Sequence, residues 1–423
     1  MFPISIYGLT ILVALVAGSL LEALACFFNR RAWRSPQDDP IMAYARAKAA
    51  LDLVASTSKL VALGIWWLAG GFPWLDRLVA TWHLGRLGSG VVYVGILLVA
   101  FKLFSQPFKV YHTFVLEARF GLNATPWVTF VTDRAKGFLL SLVLGGPFLI
   151  SVLYFFSRKG EWAWLYFWAS ASLCVVFIQY LAPVWLMPFF SRFRPLPEGT
   201  TSQAIRAHLQ RVGLDCAGIF LMDGAGRATR ASVFVTGWGR KRRVVLFDTL
   251  LQRHSDAEVV ALLAHEVGHH RLGLLWRVTG IAVVQIGLLS ALLAVAMDQP
   301  ELHRDFFMER LTLHGGFIFF ILLAVPLDLL TSPLLKAISR RHVHAADRFA
   351  LETLAAPESL AAALRRVAEQ EPNRIPPAPW QVFLHETQPP LLWRIEAIER
   401  WRIVGKDAIQ PASDPDAAGG RVG

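Results

Sequence analysis

The residues with the clearest chemical spacing in this chain are His265-Glu266-Val267-Gly268-His269, within the apolar, helix-like run Val259–His270. A spacing of four puts both imidazoles on one face of a helix, a turn apart, where both can bind one Zn²⁺. Glu266, one position on, is placed to take a proton from a water that the metal activates. A chance match in a chain of this composition has a probability of about one per cent. The pattern therefore outweighs the bland alternative of two polar helix positions beside a solvated glutamate. A hydrolytic zinc site needs three protein ligands and an open position for water, so a third ligand must come from elsewhere in the chain.

The elements that must position these residues belong to a membrane protein. Of 423 residues, 55% are apolar and 17% charged, and mean hydropathy is +0.45, whereas soluble domains carry about 25% charged residues. Fifteen Trp and 29 Phe suit lipid interfaces. Disorder and a disulfide scaffold are excluded; the three cysteines, Cys26, Cys174 and Cys216, are far apart and read as buried bystanders. Seven apolar stretches approach the roughly 20 residues a helical span needs: Ile4–Phe28, Lys59–Leu75, Leu87–Phe104, Gly137–Phe156, Trp162–Phe190, Leu274–Met297 and Gly316–Leu335. The second is interrupted by Gly70-Gly71 and Pro73 and also reads as a re-entrant or interfacial segment.

Basic residues collect in the loops after the first span (Arg30, Arg31, Arg34, Arg46, Lys48) and the third (Lys109, Arg119, Arg134, Lys136). Short cytoplasmic loops carry such an excess, which puts the N-terminus outside and the odd loops and C-terminal region in the cytoplasm. The net charge of +11 is then accounted for by loops facing anionic lipid, with no nucleic-acid partner. An excess of Arg over Lys, 33 to nine, hints at a bacterial source and hence an inner membrane. The expected organisation is a membrane domain over residues 1–190 with five spans, a soluble part over 191–273 carrying the HEVGH helix, two spans over 274–335, a helical part over 336–405, and a disordered tail over 406–423. The soluble part holds a strand pair, Val233–Trp238 and Arg243–Asp248, around a Gly-rich turn. The helical part is broken by the Pro-rich stretch Pro372–Pro379.

Several stretches besides HEVGH resemble the type I CAAX prenyl protease family of integral-membrane zinc metallopeptidases. They are Pro107–Asn123 (PFKVYHTFVLEARFGLN), Tyr180–Gly199 (YLAPVWLMPFFSRFRPLPEG), Asp223-Gly224, and FVTGWGRKRRVVLFDTLL from Phe234. Seven spans with the zinc motif between the fifth and sixth is also that family's layout. The resemblance implies an all-α multi-pass fold enclosing a chamber, with a zincin-like cytoplasmic metalloprotease domain carrying a small β element. It further implies Zn²⁺ as cofactor and cleavage near the C-terminus of peptide or protein substrates, often lipid-modified. Oligomeric state is not legible.

The chain departs from the family at three motifs. The family's third zinc ligand is a glutamate in a Ser-Arg-Arg-x-Glu-x-x-Ala-Asp pattern, and the matching stretch Ser339–Asp347 places Val343 there. Asp347 remains, where it could orient a zinc-binding histidine. His344 is the preferred substitute ligand, since imidazole suits zinc and Asp347 lies three residues on; His342, a more distant carboxylate, or no replacement at all are the alternatives. The C-terminal motif reads Thr387-Gln388-Pro389-Pro390-Leu391-Leu392-Trp393-Arg394-Ile395, with Gln388 where the family has histidine. Its Arg394 either places substrate or oxyanion, or forms a structural ion pair. The cleft strand reads Arg230-Ala231-Ser232-Val233-Phe234 in place of His-Ser-Asn-Ala-Tyr. The sequence thus points to a membrane zinc endopeptidase. Its rival is a homologue that binds membrane peptides without cleaving them, favoured by Val343 and Gln388. A transporter is the weaker third reading, because Glu22, Lys102, Arg277 and Asp328 form no evident relay.

Overall fold

The computed structural model describes residues 4–32, 40–121, 125–158, 160–185, 193–222, 233–237, 242–369 and 379–404. The chain divides into two units, one of residues up to Ser172 with Ala282–Ser332, the other of Leu173–Ile281 with the residues from Pro333 on. The stretch 372–378 and the expected tail at 406–423 lie outside the described residues.

The first unit is helical because its sequence consists of long apolar runs with few breakers. It contains α1 (Ile6–Ala32), α2 (Pro40–Leu68), α3 (Gly71–Ala80), α4 (Gly85–Tyr111), α5 (Trp127–Arg158) and the start of α6 (Ala163–Trp185). A π-helical turn, His112–Glu117, extends α4. Among the described residues six helices are long and apolar enough to cross a membrane: Ile6–Asn29, Met42–Leu68, Gly85–Glu117, Trp127–Arg158, Leu274–Met297 and Leu313–Thr353. The chain is a multi-pass membrane protein. The expected fifth span begins as α6, whose described apolar part is Ala163–Gln179, and residues 186–190 lie outside the described residues.

The second span is corrected from Lys59–Leu75 to Met42–Leu68. Gly70, at φ +69°, supplies the left-handed residue that ends α2, and Pro73 falls in the first turn of α3, where no helical N–H is lost. The cysteine reading also changes, for Cys26 is buried but Cys174 is exposed and Cys216 half-buried, all three free. Cys174 sits on the apolar α6, whose outer side chains need no water-shielding when lipid covers them. The core of this unit is an aromatic stack in which Phe306 lies 4.2 Å from Trp67 and 4.0 Å from Phe319, ring to ring.

The second unit holds a four-stranded sheet of order β1-β2-β4-β3: β1 (Phe193–Pro195), β2 (Gly218–Met222), β3 (Val233–Thr236) and β4 (Arg243–Phe247). β1 runs antiparallel to β2, β2 parallel to β4, and β3 antiparallel to β4, with Val233 opposite Leu246 and Val235 opposite Val244. Its helices are α7 (Thr200–Arg211), α8 (Asp248–Arg253), α9 (Asp256–Arg271), the start of α10 (Leu274–Met297), the latter part of α12 (Leu313–Thr353), α13 (Glu358–Glu369), α14 (Pro379–His385) and α15 (Leu391–Val404). Between α10 and α12, the short α11 (Pro300–Asp305) belongs to the first unit.

The helix α9 carries the HEVGH run, and it is buried on two sides. Val259, Leu263 and Val267 pack with Ile205 and Leu209 of α7 and Val244 and Leu246 of β4. Ala261 and Ala264 pack on the other side with Ala350 of α12, Leu360 and Leu364 of α13, and Ile395 and Ile398 of α15. A helix apolar on two sides is a core element, which is why its few polar residues must find partners.

Candidate metal centre

The start of α9 is fixed by a capping box: Glu258 N–H donates to Ser255 Oγ at 3.4 Å and Ser255 N–H to Glu258 Oε2 at 3.0 Å. From that cap the helix runs ten residues to His265. The Nε2 atoms of His265 and His269 lie 3.2 Å apart, with the rings at 88°. Two nitrogens about 2.05 Å from one tetrahedral zinc would lie about 3.3 Å apart. The separation of the two nitrogens therefore matches that of two ligands on one metal.

Behind His265 stands a buried polar group. Asp347 Oδ1 is 2.7 Å from His265 Nδ1, so Nδ1 carries the proton and donates, which leaves the Nε2 lone pair facing His269. Arg394 holds the same carboxylate bidentately, Nη2 to Oδ1 at 2.6 Å and Nε to Oδ2 at 2.8 Å. Arg394 Nη2 also lies 3.4 Å from His265 Nδ1, but both are donors, and the carboxylate between them is the acceptor. Asp347 is 3% and Arg394 7% exposed. Of the two roles open to Arg394 in the sequence, the geometry is that of the ion pair.

Close approach of α12 to α9 makes this group possible. A Cβ on Gly268 would come 3.0 Å from the Ala346 carbonyl oxygen and 3.1 Å from Ala346 Cα. Only glycine lets the backbone carrying Asp347 come this near to the helix carrying His265.

Electrostatics suit a metal-binding pair. Burial, aided by the neighbouring His265, lowers the His269 imidazole to about 4, so it is neutral and free to ligate near pH 7. Burial pushes the Glu266 carboxyl up from its ordinary range, against the charges of His265 and Arg394. A carboxylate raised toward neutral pH is a better proton acceptor and donor in turn.

Other predicted residues are less tightly gathered. Val343 is 5% exposed. His344 is half-buried, within the electrostatic reach of Asp347 and Arg394, and His342 is half-buried with its Nδ1 buried and without a hydrogen-bond partner. Among the described residues no three His, Cys, Asp or Glu side chains are gathered as a metal-binding group, so the structure does not bring His344 to the His265–His269 pair. Arg230–Ser232 lie outside the described residues. Sequence reasoning missed His270, whose Nε2–H donates to the Val235 carbonyl at 2.8 Å and ties α9 to the edge strand β3. The run of two histidines at 269–270 was the available signal. It also missed the Ser255–Glu258 cap, legible as Ser-x-x-Glu before an apolar run.

Comparison with known proteins places this geometry in a family. Residues 39–192 match the family described as CAAX prenyl protease N-terminal, five membrane helices, and residues 196–402 match peptidase family M48. The CAAX prenyl protease 1 homologue of Oryza sativa is 30% identical over 298 residues, 69% of each chain. The chain belongs to peptidase family M48. M48 peptidases are zinc metallopeptidases, consistent with the paired imidazoles. The Arabidopsis thaliana homologue is 29% identical over 343 residues, 78% of this chain and 80% of its own, and the CAAX prenyl protease 1 of Saccharomyces cerevisiae is 27% identical over 333 residues, 75% and 73%. The M48 fold is also seen in the crystal structure of S. mikatae Ste24p, with TM-score 0.80 and 24% identity, covering 94% of this chain and all of that one. These relatives are eukaryotic, and the bacterial source drawn from the arginine bias gains no support from them.

Proposed function

We propose that this M48 protein is a membrane-embedded zinc endopeptidase acting on membrane-associated or lipidated polypeptides, the prenylated C-termini named by its relatives being the first class to try. One observation carries the reading: two Nε2 atoms converge at 3.2 Å while Asp347 fixes the tautomer of His265 from behind. His265 and His269 hold the metal, and His344, beside the vacated glutamate position and three residues before Asp347, is assigned the third ligand place. Zinc, when bound, supplies Lewis acidity toward water and the scissile carbonyl.

The residues of the chain then divide the work. Glu266 accepts a proton from the attacking water as its oxygen bonds to the carbonyl carbon, and returns that proton to the amine nitrogen as the C–N bond breaks. Asp347 holds His265 in its ligating tautomer, and Arg394 holds Asp347, so both act through His265 and neither touches substrate. The loop charges read from the sequence put this centre on the cytoplasmic face, with the N-terminus outside.

The test is zinc content by elemental analysis of the detergent-purified protein, for wild type, His265→Ala, His344→Ala and His342→Ala. About one zinc per chain, lost in His265→Ala and His344→Ala, supports the assignment and licenses cleavage assays on prenylated and unprenylated peptides. Loss in His342→Ala with retention in His344→Ala moves the third ligand to His342. No zinc in the wild type, even after zinc is offered, overturns the protease reading in favour of peptide binding without cleavage, the reading that Val343 favours.

A further inference from the structure

Four cations of the membrane unit, none of them in an ion pair among the described residues, come from neighbouring helices and take no part in the metal centre. Lys59 of α2, Lys102 and Lys109 of α4 and Arg134 of α5 come from three elements packed in pairs, α2 on α4 and α4 on α5. Lys102 Nζ donates to Ser141 Oγ of α5 at 2.8 Å. Aromatic rings seat three of the four: Lys59 Nζ lies 5.9 Å from the Phe101 ring, Lys102 Nζ 5.5 Å from Phe138, and the Arg134 guanidinium 4.9 Å from Phe130.

The spacing makes two rungs. Lys102 to Lys109 on α4 and Arg134 to Ser141 on α5 are both seven residues, about 10 Å of helix. Lys102 meets Ser141, and Lys109 feels the charge of Arg134, so the outer rung is Lys109 with Arg134 and the inner rung Lys102 with Ser141 and Lys59. Among the described residues none of the four forms an ion pair, and the nearby Glu117 faces His112 at 3.5 Å.

Like charges held together at the edge of a bilayer repel one another unless an anion sits between them. In the helices Gly85–Glu117 and Trp127–Arg158, which at about 50 Å outreach the roughly 30 Å hydrocarbon core, Lys109 and Arg134 lie near the ends at Glu117 and Trp127, the level of phosphate headgroups, and Lys102 lies about 10 Å further in. Around the rungs Phe101, Phe104, Phe138, Leu139 and Leu142 are exposed, an apolar surface continuous with the charged one. We propose that Lys59, Lys102, Lys109 and Arg134 bind the phosphate headgroup of an anionic phospholipid, whose acyl chains lie along the exposed apolar side chains of α4 and α5. Charge complementarity selects the headgroup, and the adjoining apolar surface selects a lipid over a free anion.

The experiment is a lipid titration of the full-length protein, delipidated in neutral detergent and followed by native mass spectrometry. The probes are phosphatidylglycerol, phosphatidylcholine, inorganic phosphate and a short peptide with a free C-terminal carboxylate. Phosphatidylglycerol should bind at least 10-fold more tightly than phosphatidylcholine. That preference should vanish in Lys102→Gln/Lys109→Gln and in Lys59→Gln/Arg134→Gln, persist in Lys102→Arg, and persist in Arg77→Gln/Arg86→Gln, which removes the same net charge elsewhere. Either double variant that melts with the wild type in phosphatidylcholine gives the decisive comparison. Equal binding of the two lipids, an unchanged preference in the double variants, or competition by inorganic phosphate or the peptide at the concentration of phosphatidylglycerol would each overturn the proposal. Because zinc content is read separately, failure here leaves the metal centre untouched.

Discussion

Replacing Asp347 by Asn removes one charge and almost no volume, and it tests whether the group behind His265 serves the metal. In the wild type the Asp347 side chain is 5% exposed, and its two oxygens accept three bonds at 2.6, 2.7 and 2.8 Å from Arg394 and His265. An amide offers one acceptor oxygen and presents its NH₂ to at least one of those donors, leaving Arg394 buried and incompletely paired. Breaking such a pair from one side costs about 3–5 kcal/mol, so a melting temperature lowered by several degrees is expected in detergent. Loss of the carboxylate partner of a ligating histidine should also weaken zinc binding about 10- to 100-fold. The assay is competition with a chromophoric chelator, run beside Arg394→Met. That variant leaves the Asp347–His265 bond in place and should lose stability but much less of the zinc affinity. An Asp347→Asn protein that holds zinc within about twofold of wild type would refute the reasoning, whatever its stability.

Three other outcomes are expected. Gly268→Ala should push α9 and α12 apart at the Ala346 contact of 3.0 Å, costing about 1–3 kcal/mol and lowering zinc retention with the melting temperature; full zinc occupancy at wild-type stability would contradict the packing argument. Ser255→Ala removes the capping hydroxyl of α9 and should cost about 1 kcal/mol, whereas Ser255→Asp, which can still cap, should restore most of it in the same melting assay. His208, 2% exposed with neither ring nitrogen hydrogen-bonded, is lowered by burial to about 4. The unfolded chain takes up this proton near pH 6.5 and the folded one does not, so stability is fully present above 6.5 and falls by up to about 3 kcal/mol as pH drops toward 4. His208→Leu should flatten that part of the melting curve against pH, and an unchanged pH dependence would show that His208 does not contribute.

The metal helix was legible because its chemistry and its period coincide in one short window: two histidines four apart inside an apolar run. The long spans were legible for a similar reason, as a single run of apolar residues fixes a helix without tertiary information. α2 was the exception. Its first turns carry Arg46, Lys48 and Asp52, which hide a helix from an apolar scan, while Gly70 ends it where hydropathy continues into α3. The parallel pairing of β2 with β4 was hidden because Gly218–Met222 is five residues long and 20 residues before its partner. The contact between Asp347 and His265 joins residues 82 positions apart, and the clue to it was indirect: a glycine inside the zinc motif, which only the approach of a second backbone explains.

That approach bears on position 343. Val343 and Asp347 are four residues apart on α12 and share one side of the helix, and both are buried. The face of α12 that carries Val343 and Asp347 is therefore turned inward, with an apolar side chain at 343. A carboxylate at position 343 would add a negative charge to a side of α12 that already carries Asp347. Neutral imidazole from His344 would restore donor number without adding that charge. Titrating zinc into His344→Glu and His344→Ala side by side decides the matter: if His344 is the third ligand, the glutamate variant keeps about one zinc per chain and the alanine variant loses it, and if the position is idle, both variants keep it.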